Sequence, residues 1–270
     1  GAALAWLGLR QSRLLPQLTG AGLQLAAAVA FFIASADAPS WDTTAAVPMF
    51  ANAAFMSALL IAAAGVASAW AYRGRSAGVA LVYYLWGLMW WLAGLVAECF
   101  RFVPDRHQPD ALLIIAAVTG WLAAEAYRRQ PARVLGLTTL AMLAFAFPLL
   151  IAQVGTHEQP LAGYGGLAWA LMAVLGTRSL HALRQGAGRV AVIAQFLWWL
   201  LWPSLLSLLA LWGGGDARLA QGWTALLVTL PWLLLAALSL WRWNVLRWPL
   251  GAAFDPVRLP LQSVIFAVLA

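Results

Sequence analysis

Long apolar runs alternate with short polar connections along the whole chain. Most runs hold about 20 residues, the length that an α-helix needs to cross the hydrocarbon core of a bilayer. The pattern predicts an all-α, polytopic transmembrane helical bundle. Its eight complete spans are predicted at residues 14–35, 47–71, 78–99, 111–127, 134–154, 161–177, 190–212 and 219–241. Partial spans are predicted at both ends, over residues 1–9 and from about residue 259.

The charged residues between the runs support this span count independently. When the connections are numbered from the one at Arg10, most arginines fall in odd-numbered connections. The even-numbered ones contain only Arg101, Arg106 and Arg218. Positively charged loops resist translocation, so we expect the odd connections on the cytoplasmic side. These are the connections with Arg10, Arg73, Arg128, Arg184 and Arg242.

The composition excludes a water-soluble fold. Of the 270 residues, 64% are hydrophobic and 9% are charged, whereas soluble domains carry about 25% charged residues. The sixteen basic residues are all arginine and stand in small groups between apolar runs. That spacing is typical of topology signals rather than of a nucleic-acid-binding surface. The lack of lysine, with abundant Ala, Leu and Trp, indicates a GC-rich bacterial genome, so we expect the bacterial inner membrane.

Both ends of the chain interrupt apolar stretches. The chain starts at Gly1 without an initiating methionine or the basic segment of a signal peptide, and it ends within a predicted helix at Ala270. We therefore expect one transmembrane helical domain, residues 1–270, that is a segment of a longer membrane protein.

Two pairs of tryptophans lie deep within predicted spans. Trp86 with Trp90, and Trp198 with Trp202, are each four residues apart and share a helical face. Such faces can bind an acyl chain, an isoprenoid or a sugar. Helix packing and lipid contact are the more frequent roles of tryptophan in a membrane helix.

Prolines and a glutamine complete a predicted substrate path. Pro203 and Pro231 lie near the centres of two adjacent spans, and broken helices that meet at mid-depth are typical of transporter sites. Kinks alone are also tolerated in membrane helices. Gln195 lies one turn before Trp198 and needs a hydrogen-bond partner from another helix. The predicted path comprises Gln195, Trp198, Trp202, Pro203, Pro231, Trp86 and Trp90.

The sequence contains no recognised catalytic or metal-binding motif. No Cys/His spacing of a metal site is present. His157-Glu158 begins like a zinc-protease helix, but Leu161 stands where the second histidine belongs. We therefore predict no catalytic residue, no cofactor and no metal ligand, with His107 and His181 facing solvent or headgroups.

Several motifs resemble one bacterial family. They are Trp6-Leu7-Gly8-Leu9-Arg10-Gln11, Leu85-Trp86-Gly87-Leu88-Met89-Trp90-Trp91, Pro160-Leu161-Ala162-Gly163 and Arg247-Trp248-Pro249-Leu250. Together they resemble the large predicted membrane proteins of the domain-of-unknown-function 2339 family. The resemblance implies a long array of membrane helices, often behind an N-terminal soluble or coiled-coil stretch. It implies no established activity and no site residues.

Three functions are compatible with these features. The favoured one is a carrier, or a protein that handles lipids or envelope precursors, through the substrate path. The second is a structural or scaffolding protein that organises envelope partners. The third is a membrane enzyme on a lipid-linked substrate, for which the candidate cluster is Glu98, Arg101, Asp105, Arg106 and His107. The expected partners are membrane lipids and envelope proteins, and not nucleic acid.

Overall fold

In a computed structural model, the chain is described over residues 1–37, 48–186 and 188–270. Regular structure within these ranges is entirely helical, which confirms the predicted all-α bundle. The α-helices are α1 (Ala2–Arg10), α2 (Leu14–Asp37), α3 (Ala53–Tyr72), α4 (Ala77–Phe102), α5 (Gln108–Arg129), α6 (Arg133–His157), α7 (Gly165–Leu183), α8 (Gly188–Asp216), α9 (Gln221–Trp241), α10 (Trp243–Arg247) and α11 (Arg258–Leu269). Short 3-10 helices span Asp105–His107 and Gly251–Val257.

Within the described residues, eight segments are long and apolar enough to cross a membrane. Helices satisfy their own backbone hydrogen bonds, as hydrocarbon requires. The chain is therefore a multi-pass integral membrane protein. The segments are Leu14–Ser35, Ala53–Tyr72, Ala77–Phe102, Asp105–Arg129, Arg133–His157, Gly188–Asp216, Gln221–Trp241 and Gly251–Leu269.

These eight segments differ from the predicted eight at two places. The predicted span 161–177 corresponds to α7, which is not among them, whereas the predicted partial span from residue 259 lies within Gly251–Leu269. Helix α7 nevertheless runs alongside α5, since Gly165 lies against Asp110 and Arg178 pairs with Glu125. The predicted start of the second span, residue 47, lies outside the described residues.

The chain divides into two compact units, Gly1–Pro104 and Asp105–Ala270. That both belong to a single transmembrane domain stays a prediction. In the first unit, α3 and α4 pack backbone against backbone, because a Cβ on Gly65 would lie 2.8 Å from the Cα of Gly87. Buried Gln24 of α2 donates a 2.8 Å hydrogen bond to the hydroxyl of Ser68 on α3. Close approach and a polar contact therefore hold these helices together, as is usual in lipid.

The second unit is built around α5, which packs against both α6 and α7. Helix α6 also contacts α8, and α8 contacts α9. The core where α7 meets α8 is filled by Trp198, whose ring occupies the space that a side chain on Gly176 would need. After α9, residues 242–257 fold back against α8 and bury Leu246, Leu250 and Phe254.

Candidate functional site

Each predicted tryptophan face has one buried and one partly buried indole ring, with Trp90 and Trp198 buried and Trp86 and Trp202 partly buried. In the first unit, Trp90 is 4% exposed and its ring lies 5.0 Å from that of Phe31 and 5.9 Å from that of Trp86. In the second unit, the rings of Trp198 and Trp202 are 5.0 Å apart, edge to face. Trp202 also lies 6.1 Å from the ring of Trp169. Both faces therefore contribute aromatic contacts to helix packing.

Gln195 is fully buried, and both ends of its side-chain amide are bonded to the backbone of residues 242–257. Its Nε2 donates to the carbonyl of Leu246 at 2.6 Å, and its Oε1 accepts from the amide of Leu250 at 3.3 Å. The indole of Trp199 donates to the same Leu246 carbonyl at 2.9 Å. Gln195 thus fastens this returning segment to α8.

Pro203 and Pro231 lie inside helices that continue through them. Nearby, the hydroxyl of Ser207 on α8 donates to the carbonyl of Val228 on α9 at 2.6 Å. Two cavities of the described residues, one between α5, α6 and α7 and one at the start of α6, are lined by neither Gln195 nor Pro203 nor Pro231. A substrate path at these residues stays a prediction.

The cluster predicted for a membrane enzyme finds separate partners. The Glu98 carboxylate accepts hydrogen bonds from the side chain of Asn52 and the amide of Phe50, both at 2.7 Å. Asp105 accepts from Gln108 at 2.8 Å. Glu98 and Arg101 belong to the first unit and Asp105, Arg106 and His107 to the second, and convergence of the five stays a prediction.

A cavity of about 440 Å³ lies where α5 ends and α6 and α8 begin. We call it the arginine cavity, after Arg133 and Arg189 in its wall. Tyr127 lines it as well, although this side chain is 4% exposed and has no hydrogen bond within the described part of the chain. Its volume falls in the range of about 300–1,000 Å³ that is usual for small-ligand pockets.

The arginine cavity is rich in hydrogen-bond donors. Neither Arg133 nor Arg189 forms an ion pair among residues 1–37, 48–186 and 188–270, whereas neighbouring Arg128 and Arg178 both bind Glu125 at 2.8 Å. Helix α6 starts at the cavity, and its N-cap Ala132 provides no side-chain acceptor for the first amides. Two guanidinium groups and a phenol beside the start of a helix can bind an anion such as phosphate.

At the other end of α5 and α6, three ionisable side chains meet. Asp110 lies in the first turn of α5, preceded by His107, and His157 ends α6. The Oδ2 atom of Asp110 is 3.5 Å from Nδ1 of His107 and 3.5 Å from Nε2 of His157. All three atoms lie within 4.8 Å of one another and are arranged as metal ligands would be. We call this group the histidine–aspartate cluster.

The sequence interpretation missed this cluster and expected His107 to face solvent or lipid headgroups. The structure buries Asp110 to 1% exposure and leaves the side chains of His107 and His157 only 13% and 8% exposed. The three residues are separated by 3 and 47 positions in the sequence, which matches no metal motif. A usable signal existed, since the arginine pattern puts the connections with His107 and His157 on one side of the membrane.

No protein-family profile, no curated protein and no solved structure matches this chain. Membership of the domain-of-unknown-function 2339 family therefore remains a proposal that the motifs around Trp6 and Trp86 support.

Proposed function

We propose that this protein handles phosphate-bearing lipids or lipid-linked envelope precursors, and that it binds their phosphate group in the arginine cavity. The carrying observation is that one cavity is lined by two guanidinium groups without an ion pair and by the phenol of Tyr127 without a hydrogen bond, as far as the described residues go. Arginine binds phosphate through paired N–H groups in a fixed geometry. The proposal keeps the favoured sequence hypothesis and moves its site away from Gln195.

The surface below the cavity supports a lipid rather than free phosphate. Along α6, Arg133 is followed at four-residue steps by Leu137, Ala141 and Phe145, and all four are exposed. Residues at this spacing form one helical stripe. An acyl chain can therefore lie on the apolar part of the stripe while its headgroup enters the arginine cavity.

We propose a bacterial inner-membrane location with the arginine cavity on the cytoplasmic side. The cavity lies between the connections that contain Arg128 and Arg184, two of the connections assigned to that side. The positive charge of these connections supports the assignment. The lipids in question are then those of the inner leaflet.

The test is native mass spectrometry of the detergent-solubilised chain with dioleoylphosphatidylglycerol. Wild-type protein should retain this lipid, and the double variant Arg133→Gln/Arg189→Gln should bind it at least about tenfold more weakly, which corresponds to about 1.4 kcal/mol. The matched control is Arg13→Gln/Arg242→Gln, which removes two interfacial arginines outside the cavity. The control should bind like wild type.

Two further probes distinguish binding of a phosphate-bearing lipid from binding of acyl chains alone and from binding of free phosphate. Dioleoylglycerol, which has the same chains without phosphate, should bind equally weakly to wild type and to the cavity variant. Inorganic phosphate should compete poorly, because it lacks the acyl chains. Equal loss of phosphatidylglycerol in the cavity variant and in the control would contradict the proposal and favour a scaffolding role.

A further inference from the structure

The histidine–aspartate cluster contains buried polar atoms that no group in the described residues satisfies. Nδ1 of His107, Oδ2 of Asp110 and Nε2 of His157 are all buried without a hydrogen-bond partner in residues 1–37, 48–186 and 188–270. Burial of a polar atom without a partner costs about 1–3 kcal/mol in proteins. Three such atoms that face one another point to a ligand that binds all three together.

We propose that His107, Asp110 and His157 bind one divalent first-row transition-metal ion of the zinc class. Two imidazole nitrogens and one carboxylate oxygen are the donors that such ions prefer. Mg²⁺ and Ca²⁺ prefer a shell of oxygen atoms, so this donor set selects against them. Three protein ligands leave a position for water or another ligand, as in open zinc sites.

The distances fit a common coordination sphere. Ligands about 2.1 Å from a tetrahedral metal lie about 3.4 Å from one another. The two separations of 3.5 Å from Asp110 Oδ2 match this value. The nitrogen atoms of His107 and His157 lie within 4.8 Å of each other. This separation exceeds the tetrahedral value by at most about 1.4 Å, which a combined shift of the two imidazole side chains has to close.

A second layer of buried groups orients the carboxylate. Nε2 of Gln153 donates to Oδ1 of Asp110 at 2.7 Å, which leaves Oδ2 directed at the two histidines. The indole of Trp169 donates to Oε1 of Gln153 at 2.8 Å and so fixes the amide orientation. Gln153 and Trp169 are 0% and 2% exposed. Such outer hydrogen bonds are a regular part of metal sites.

The backbone after α6 is shaped to cover the cluster. Gly163 has φ of +58°, and a Cβ there would lie 2.6 Å from Cε1 of His107. Glycine at this position lets the turn lie directly over the imidazole. Tyr164 adds its ring at 5.0 Å from that of His107. The cluster is therefore enclosed by glycine backbone on one side and by an aromatic ring on another.

The alternative is a metal-free ion pair between Asp110 and a protonated histidine. Its separations of 3.5 Å are longer than the 2.7–2.9 Å of charge-assisted hydrogen bonds. A bridging ion accounts for separations of this length, because each donor then contacts the ion rather than its neighbour. The ion pair is one outcome of the experiment below.

The test uses the full chain purified in detergent without a histidine tag, stripped with a chelator and titrated with Zn²⁺. We expect one Zn²⁺ per chain by metal analysis after dialysis. His157→Gln should weaken binding by more than the 10–100-fold that loss of an outer hydrogen-bond partner typically causes. The matched control is His181→Gln, because His181 lies 5.3 Å from the Trp248 ring and outside the cluster.

Titration of the wild-type chain with Co²⁺ instead of Zn²⁺ keeps the test valid if the variant fails to fold. We expect the visible absorption bands of four-coordinate Co²⁺. These bands should disappear when Zn²⁺ is added and should persist in excess Mg²⁺. Absence of Zn²⁺ and Co²⁺ binding by the wild type would establish the metal-free ion pair and overturn the proposal. An equal loss of Zn²⁺ affinity in His157→Gln and His181→Gln would also overturn the proposal. Lipid binding at the arginine cavity does not depend on either outcome.

Discussion

The ionisable residues at the two ends of the α5–α6 helix pair differ in their burial. At the end with His107, Asp110 and His157, the groups are buried and face one another. At the other end, Arg133 and Arg189 are exposed and border the arginine cavity. The helix pair thus borders a closed cluster of fixed geometry at one end and, together with Arg189 of α8, an open, positively charged cavity at the other.

This difference shows how burial decides what a charged side chain can do in a membrane protein. An enclosed carboxylate held by Gln153 has one orientation and selects a ligand by distance and donor type. Exposed guanidinium groups adapt to their ligand and select mainly by charge and shape. The predictions below test whether the two ends act independently.

The largest effect is expected for Asp110→Asn with Zn²⁺ present. Ligand binding to the folded state adds about 4.1 kcal/mol when the free ion is at 1,000 times its Kd. Asparagine keeps an acceptor for Gln153 but is a poor zinc ligand, so this stabilisation should vanish. The measurement is thermal unfolding in detergent, with and without Zn²⁺.

The control for this substitution is Asp216→Asn, at the end of α8. It removes an exposed carboxylate and should keep the full zinc-dependent rise in Tm. A similar rise in the Asp110 variant would show that zinc acts elsewhere. Weaker phosphatidylglycerol binding by Asp110→Asn would show that the two ends of the helix pair do not act independently.

Gly176→Ala is expected to affect both ends together. A Cβ at this position would lie 2.3 Å from the ring of Trp198, and overpacking of this kind costs about 1–3 kcal/mol. The free energy of unfolding should fall, and zinc and lipid binding should be lost in parallel with folded protein. In the control Gly166→Ala, the nearest atom is 3.6 Å away. Equal stability of the two variants would contradict the packing at Trp198.

Gln153→Leu is expected to weaken the closed end without altering the open one. The substitution removes the donor to Asp110 and should lower zinc affinity about 10–100-fold. Isothermal titration in detergent measures this change. Phosphatidylglycerol binding should remain at its wild-type value. Unchanged zinc affinity would show that Gln153 does not orient the carboxylate.

Glu125→Gln should change the free energy of unfolding least among these substitutions. Glu125 pairs with Arg128 and Arg178, whose side chains are 46% and 58% exposed. Exposed ion pairs contribute up to about 1 kcal/mol and are screened by salt. Chemical denaturation at low and high salt should show a difference below this value that shrinks with salt. A larger, salt-independent loss would mean that the carboxylate holds α5 and α7 together.

The sequence was sufficient to predict the positions of most helices, because the hydrocarbon core of a membrane requires each span to have a minimum length and an apolar composition. The predicted span 161–177 has a helical counterpart in α7, which is not among the eight most apolar segments because it carries Arg178 and His181 in its second half. Buried Gln24 finds its polar partner in the hydroxyl of Ser68.

The sites were harder to predict because their residues come from different helices. His107 caps the start of α5 and Asp110 lies in its first turn, but His157 joins them through the packing of α6, which hydropathy does not determine. In the sequence, Tyr127 resembles any aromatic residue at a membrane interface, and only the structure shows its side chain in the wall of the arginine cavity. Side-chain pairing across helices depends on rotation about the helix axis, and apolar sequences encode this weakly.

The bonds from Gln195 and Trp199 to Leu246 have a consequence for biogenesis. Their common acceptor lies 51 residues after Gln195, so it leaves the ribosome only after α8 is complete. Helix α8 must therefore enter the bilayer with a glutamine and an indole that lack their final partner, and water or the insertion machinery has to solvate them meanwhile. Release of α8 into lipid and synthesis of the segment after α9 are thereby linked in time.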